Sequence, residues 1–194
     1  MAISKTKLKI IDVARQLIAK QGLDNITMND IAVASGKGRR TLYTYFNNKE
    51  DVFSAVIEEE LGHLSDLVVD MSKRQMSLED KLLEFIFAHL RLIKEVVKRN
   101  GNLRAEFFRN IWLVEKARKN FDKAEVDFFI DILEEGNKTG EFAVGDVALV
   151  ADVIHYCVKG LEVPYIYGRL GKGLSQHDSK QIVKGLIHSA LKRN

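Results

Sequence analysis

Arg39, Arg40, Thr41, Tyr43 and Tyr45 fall within seven consecutive positions, preceded by Gly36-Lys37-Gly38 and followed by Lys49. Guanidinium forks can pair with a guanine edge or a phosphate, hydroxyls with phosphate, and a ring or methyl with the thymine methyl. The chemistry this run could do is recognition of a polyanion, not bond making. The other reactive side chains do not assemble into a catalytic pattern. The histidines at 63, 89, 155, 177 and 188 never form His-Glu-x-x-His, and His155 with Cys157 is an isolated pair of potential ligands. "GRLGKGLS" lacks phosphate-loop spacing, Gly-x-Ser-x-Gly does not occur, and no dinucleotide fingerprint follows a strand. The chain therefore reads as a binding protein rather than an enzyme, with no catalytic residue, metal site or cofactor expected.

Charge distribution supports a polyanionic partner. The formal net charge of +3 is unremarkable, but residues 5–49 carry nine basic and three acidic side chains, whereas the remainder is slightly acidic. A charge run can also be a plain solvated face. The single cysteine excludes an internal disulfide framework, and neither an export signal nor an apolar run long enough for a bilayer is found. A cytoplasmic protein with no membrane partner is expected.

The elements that must position the Arg-Tyr run are helices. Spacings of three and four recur along a chain with one proline, Pro164, and strand-like alternation is scarce. A first helix is predicted near 5–21, ended by Gly22. A second is predicted at about 28–34, with Thr27 as cap, Asp30 completing a capping-box variant and Ile26 stapled to Ile31. Gly36 and Gly38 are each expected to permit positive φ in a sharp turn. A third helix, about 39–46, should then bury Leu42 and Phe46 and turn Arg40, Thr41, Tyr43 and Thr44 outward, with Tyr45 beside the anchors. Asn47 or Asn48 should cap a fourth helix.

"IIDVARQLIAKQG", "ITMNDIAVASG" and "TLYTYFNNKEDV", in this order and spacing, resemble the DNA-binding domain of the tetracycline-repressor (TetR) family over roughly residues 8–60. The resemblance implies that Thr27 and Asn29 approach the DNA backbone, that Arg39, Arg40, Thr41, Tyr43 and Tyr45 lie at or in the groove, and that Lys49 grips phosphate; Lys37, in the basic turn, is a further DNA-binding candidate. The sequence departs from the family pattern in having Lys37 for an apolar residue, Gly38 for a Ser-like cap and Arg40 for a small residue. Arg40 is thus a candidate for base reading, with phosphate contact as the alternative, and Tyr43 for phosphate or thymine contact.

The expected architecture is all-α with about nine helices. Residues 1–50 form the helix-turn-helix domain, helix four (about 48–71) connects, and 51–194 form a ligand-binding and dimerisation domain. Further helices are predicted near 77–99, 103–118, 121–136, 146–170 and 176–192, separated by "RNGN", Lys119-Asn120, "GNKTGEFAVGD" and "GKGLS". Phe85, Phe87, His89, Phe107, Phe108, Trp112, Phe128 and Phe129 could line an apolar pocket, with Phe85, His89, Phe108, Trp112 and Phe128 as leading candidates, or could equally fill a core. In the penultimate helix Val147, Ala151, Ile154, Val158 and Leu161 make one apolar stripe, and Leu149, Val153, Tyr156 and Gly160 another. With Ile182, Val183, Leu186, Ile187, Ala190 and Leu191 of the last helix they suggest a four-helix homodimer interface. Val147, Ala151, Ile154, Val158, Leu161, Val183, Leu186, Ile187 and Ala190 are the expected interface residues. The function implied is a regulator, most often a repressor in this family, that binds inverted-repeat double-stranded DNA as a homodimer and is released by a small apolar or amphipathic effector. A constitutive or partner-controlled DNA-binding dimer is the alternative.

Overall fold

Helix α1, Lys5–Gln21, buries Ile10, Ile11, Ala14 and Ile18 on one face and stops at Gly22. There the backbone turns out at φ 83°, a region that side chains with a Cβ resist, and a Cβ would stand 2.9 Å from Glu106 Oε1. The computed structural model describes residues 4–99, 106, 108–173 and 176–192. The predicted helix near 103–118 and Phe107 therefore lie partly or wholly outside the described residues.

The second start signal forms as the sequence indicates. Thr27 accepts the Asp30 N–H, while the Asp30 carboxylate accepts the Thr27 N–H at 2.8 Å and its hydroxyl at 2.7 Å. These bonds, the hydroxyl's first, hold the Asp30 carboxyl below its usual range. Helix α2, Met28–Ser35, ends at Gly36 in the left-handed region with φ 64°. Gly38 departs from expectation: it is extended, φ −65°, and precedes α3, Arg39–Tyr45. One left-handed residue is enough to reverse the chain, so Gly38 serves as a cap position without a capping side chain. Helix α4, Lys49–Lys73, is capped by Asn48, whose Oδ1 accepts the Asp51 N–H at 2.7 Å.

Helices α5, Leu78–Arg99, α6, Ile111–Thr139, α7, Val147–Ile166, and α8, Gln176–Leu191, follow. Among the described residues all regular structure is helical, in eight helices. The break expected at Lys119-Asn120 is absent: α6 runs through it, because Lys and Asn lower helix propensity only by tenths of a kcal/mol and neither blocks a backbone hydrogen bond (about 0.7 kcal/mol at most). Helix α6 also continues past Gly136, where the Phe142 ring lies so close that a Cβ would approach it to 2.0 Å. The stop comes at Gly140, φ 75°. Helix α7 ends at Ile166 rather than near 170 and accommodates Pro164 in its last turn.

The chain divides into two compact units. One comprises Met1–Gly62 with Val96–Lys119, the other His63–Glu95 with Asn120–Asn194. In the second, Phe85, Leu82, Phe128, Phe129, Leu133, Ala151 and Val158 share one apolar core.

Candidate nucleic-acid interface

Helix α3 has only seven residues and would not persist alone. Leu42 is fully buried and Phe46, the residue after α3, is nearly so; these two hydrophobes fasten it to the first unit, where Ile10, Ile31 and Val52 are also buried. The opposite side is free: Arg39, Arg40, Tyr43 and Thr44 are exposed, and Lys37 and Thr41 are half-buried. Thr44 donates its hydroxyl to the Arg40 carbonyl at 3.0 Å, while the Tyr45 hydroxyl and Ser4 Oγ lie 3.1 Å apart. Tyr45 is half-buried, as its position beside the anchors suggests. Asn29 is exposed on the first turn of α2. The result is a short helix with a fixed apolar underside and a cationic, aromatic outer face, of a size that a major groove admits.

Two residues named for DNA contact are engaged within the unit, Lys49 in a way that spacing did not reveal and Thr27 in the capping box that spacing predicted. The Lys49 ammonium donates to the Leu23 carbonyl at 2.9 Å, with those of Asp24 and Ile26 at 3.4 and 3.5 Å. It thereby ties the start of α4 to the α1–α2 turn instead of standing free for phosphate. The Thr27 hydroxyl is likewise occupied by its capping partner Asp30.

Residues 10–56 match the family described as "Bacterial regulatory proteins, tetR family". The chain is 26% identical over 159 residues to the HTH-type transcriptional regulator QacR of Staphylococcus aureus, spanning 80% of this chain and 83% of that protein. Residues 10–56 thus form a tetR-family DNA-binding domain. The chain is also 27% identical over 157 residues to the fatty acid metabolism regulator protein of Bacillus subtilis, spanning 76% of each chain. The fold is similar to that of the fatty acid degradation regulator FadR from Bacillus halodurans, with a TM-score of 0.68 at 21% identity and 96% of both chains covered. A transcriptional regulator from Cytophaga hutchinsonii superposes with a TM-score of 0.65 at 25% identity, covering 95% of this chain and 97% of that one.

Beyond this tetR-family domain the aromatic candidates separate. Phe85, His89 and Phe128 are buried in the second unit, where the Phe85 ring lies 4.7 Å from Phe128 and 5.3 Å from Phe129; these rings fill space by packing on one another. Phe108 and Trp112 belong to the first unit and are 40% and 61% exposed. The candidate interface residues also need correction. Ala151 and Val158 are buried in the unit's own core, with Val147, Ile154, Leu161 and Ile187 packed against it. The stripe that stays open on α7 is the other one, Leu149, Val153, Tyr156 and Gly160, with Tyr156 67% exposed. On α8, Leu186 and Ala190 are exposed and Val183 is half-buried. The two stripes are alike in composition, so only the packing partner decides which is covered.

A buried ionic cluster completes the second unit. His89 Nδ1 stands 2.7 Å from Glu125 Oε1, though out of alignment for a hydrogen bond, and His89 Nε2 stands 2.8 Å from Glu162 Oε1. His155 Nδ1 lies 2.5 Å from the other Glu125 oxygen, and Lys159 pairs with Asp122 at 3.0 Å. Burial alone would lower the His89 pKa, but the two carboxylates overcome it and raise it to about 9. Glu125, pushed up by burial, is held below its ordinary range by His155 and His89. Sequence reasoning missed the cluster, although a signal was present. Glu125 falls on the apolar stripe Phe121, Phe128, Ile132, and His155 on the stripe Ala151, Val158; a charge at such a position needs a partner.

Proposed function

We propose that the chain is a ligand-responsive repressor that binds a palindromic operator as a homodimer and releases it when a small apolar or amphipathic molecule binds. The observation that carries this reading is the exposed Arg39, Arg40, Tyr43 and Thr44 face of α3 above the buried Leu42 and Phe46. In this reading Arg40 reads a base through its planar fork, Arg39 and Tyr43 contact backbone or thymine, Thr41 and Lys37 border the groove, and Asn29 reaches phosphate from α2. Thr27 and Lys49 act by shaping α2 and the α1–α2 turn, and Tyr45 seats α3. Tyr156, Val153 and Leu149 of α7, with Leu186 and Ala190 of α8, supply the open apolar surface on which two copies meet. Twin readers about 34 Å apart then match half-sites one helical turn apart. Two of the similar proteins have names that refer to fatty acid metabolism or degradation, which supports an apolar or amphipathic effector.

Footprinting on the DNA flanking its own gene, at stated salt, tests the core of this proposal. A symmetric protected site is expected. Arg40→Ala should weaken binding by about 1 to 3 kcal/mol and relax one base position in each half-site; uniform weakening over all sequences with a shallower salt slope would assign Arg40 to phosphate instead.

A further inference from the structure

Arg91 stands half-buried on α5, and no hydrogen bond or ion pair engages its guanidinium among the described residues. It lines an open groove of 590 Å³ within the second unit, walled by Phe87 of α5, Leu161 and Tyr165 of α7 and Val183 of α8, with no carboxylate among its described lining residues. That volume falls in the range of about 300 to 1,000 Å³ over which small-molecule sites occur. The neighbouring cations reinforce the sign. Lys94 Nζ lies 5.2 Å over the Tyr165 ring, leaving its charge close to that wall. Lys180, 5.7 Å over the Phe87 ring, is already paired with Glu84, so among the described residues Arg91, in the groove wall, and Lys94, beside it, are left without an anion.

We propose that this groove binds an amphipathic organic anion, with its carboxylate on Arg91 and its apolar body along Phe87, Leu161 and Val183. A guanidinium set in an apolar wall is stabilised by an anion that pairs with it bidentately, and the apolar lining rewards a hydrocarbon or aromatic body that covers it. Ile182 forms the outer wall and is largely exposed, so an occupant would also remove its surface from water. A second copy of the chain is a poorer fit to the groove floor, because an apolar face laid over an unpaired guanidinium leaves the charge desolvated and uncompensated. Taking this anion as the effector rests on the repressor reading above; the binding site itself does not.

The test is calorimetric titration of the full-length chain with hexanoate, decanoate and tetradecanoate, and with decanol and decyltrimethylammonium as neutral and cationic counterparts. Affinity is expected to rise along the carboxylate series and to favour decanoate over both counterparts by about tenfold or more. Arg91→Ala should erase that preference with the circular dichroism spectrum unchanged, Arg91→Lys should keep part of it, and Val183→Trp should block the longer chains. The proposal is overturned if no carboxylate binds, or if the preference survives Arg91→Ala. It is also overturned if Arg91→Ala shifts the monomer–dimer balance in sedimentation while carboxylate affinity stays intact, since the groove then belongs to a second copy. Operator binding measured in parallel separates the two readings. A carboxylate held through Arg91 that leaves operator affinity unchanged sinks the effector role and keeps the site. Operator release by a different class of molecule, with no carboxylate bound, keeps the repressor and sinks the site.

Discussion

Replacing His89 by Gln removes a ring that sits between the Glu125 and Glu162 carboxylates in the core of the second unit. The folded protein holds the His89 proton to about 9 against an ordinary 6.5, and each pH unit between those values corresponds to about 1.4 kcal/mol. Because the folded pKa is the higher one, the stabilisation is fully present below the unfolded value and is lost as pH rises through the folded value. The pair interaction should therefore contribute about 3 kcal/mol at pH 6.5 and well under about 1 kcal/mol above pH 9. Glu125 runs the other way: its depressed pKa gives stability above its ordinary carboxylate value that disappears in acid. Urea unfolding followed by circular dichroism at intervals from pH 6 to pH 10 measures the effect. Subtracting the His89→Gln curve cancels the titration of the other groups. A wild-type curve that parallels the variant across this interval would refute the assignment of a proton held between Glu125 and Glu162.

Lys49→Met should lower the stability of the first unit by about 1 to 3 kcal/mol, since it leaves the Leu23, Asp24 and Ile26 carbonyls without their donor, yet change the salt slope of operator binding by less than a phosphate contact would; thermal melts and filter binding over a salt series distinguish the two. Gly22→Ala should cost about 1 to 2 kcal/mol in a chemical melt through its positive φ, with the Glu106 side chain able to move aside. Val153→Glu should yield folded monomers in sedimentation, whereas Ala151→Glu, two positions away, should prevent folding, because the first side chain is open and the second is fully buried.

Residues 5–53 were legible in most of their detail, Gly38 aside, because the other local rules there agree with one another. Thr27 and Asp30 complete a capping box three residues apart, Gly36 supplies the left-handed stop, and Leu42 with Phe46 defines an underside that leaves Arg39, Arg40 and Tyr43 outside. These are contacts between near neighbours in the chain, and helical spacing alone brings the residues together. The role of Lys49 escaped the same reasoning, since its carbonyl partners lie more than twenty residues upstream and backbone acceptors carry no sequence label.

Tertiary packing decided the rest. Period and composition marked α7 as apolar on two sides, but both stripes have the same character, and only the neighbouring helices determine that Ala151 and Val158 are enclosed while Val153 and Tyr156 remain open. His89, Glu125 and Glu162 come from three different helices, so no spacing within the chain could announce that one buried proton sits among them. The sequence by itself determined that the chain is helical, that the backbone reverses at Gly22 and Gly36, and which face of α3 carries the charges, because those properties depend on residues within one or two turns of each other. Which apolar face is covered, which lysine is already engaged and which arginine is left unpaired follow from groups that meet only after the chain has folded.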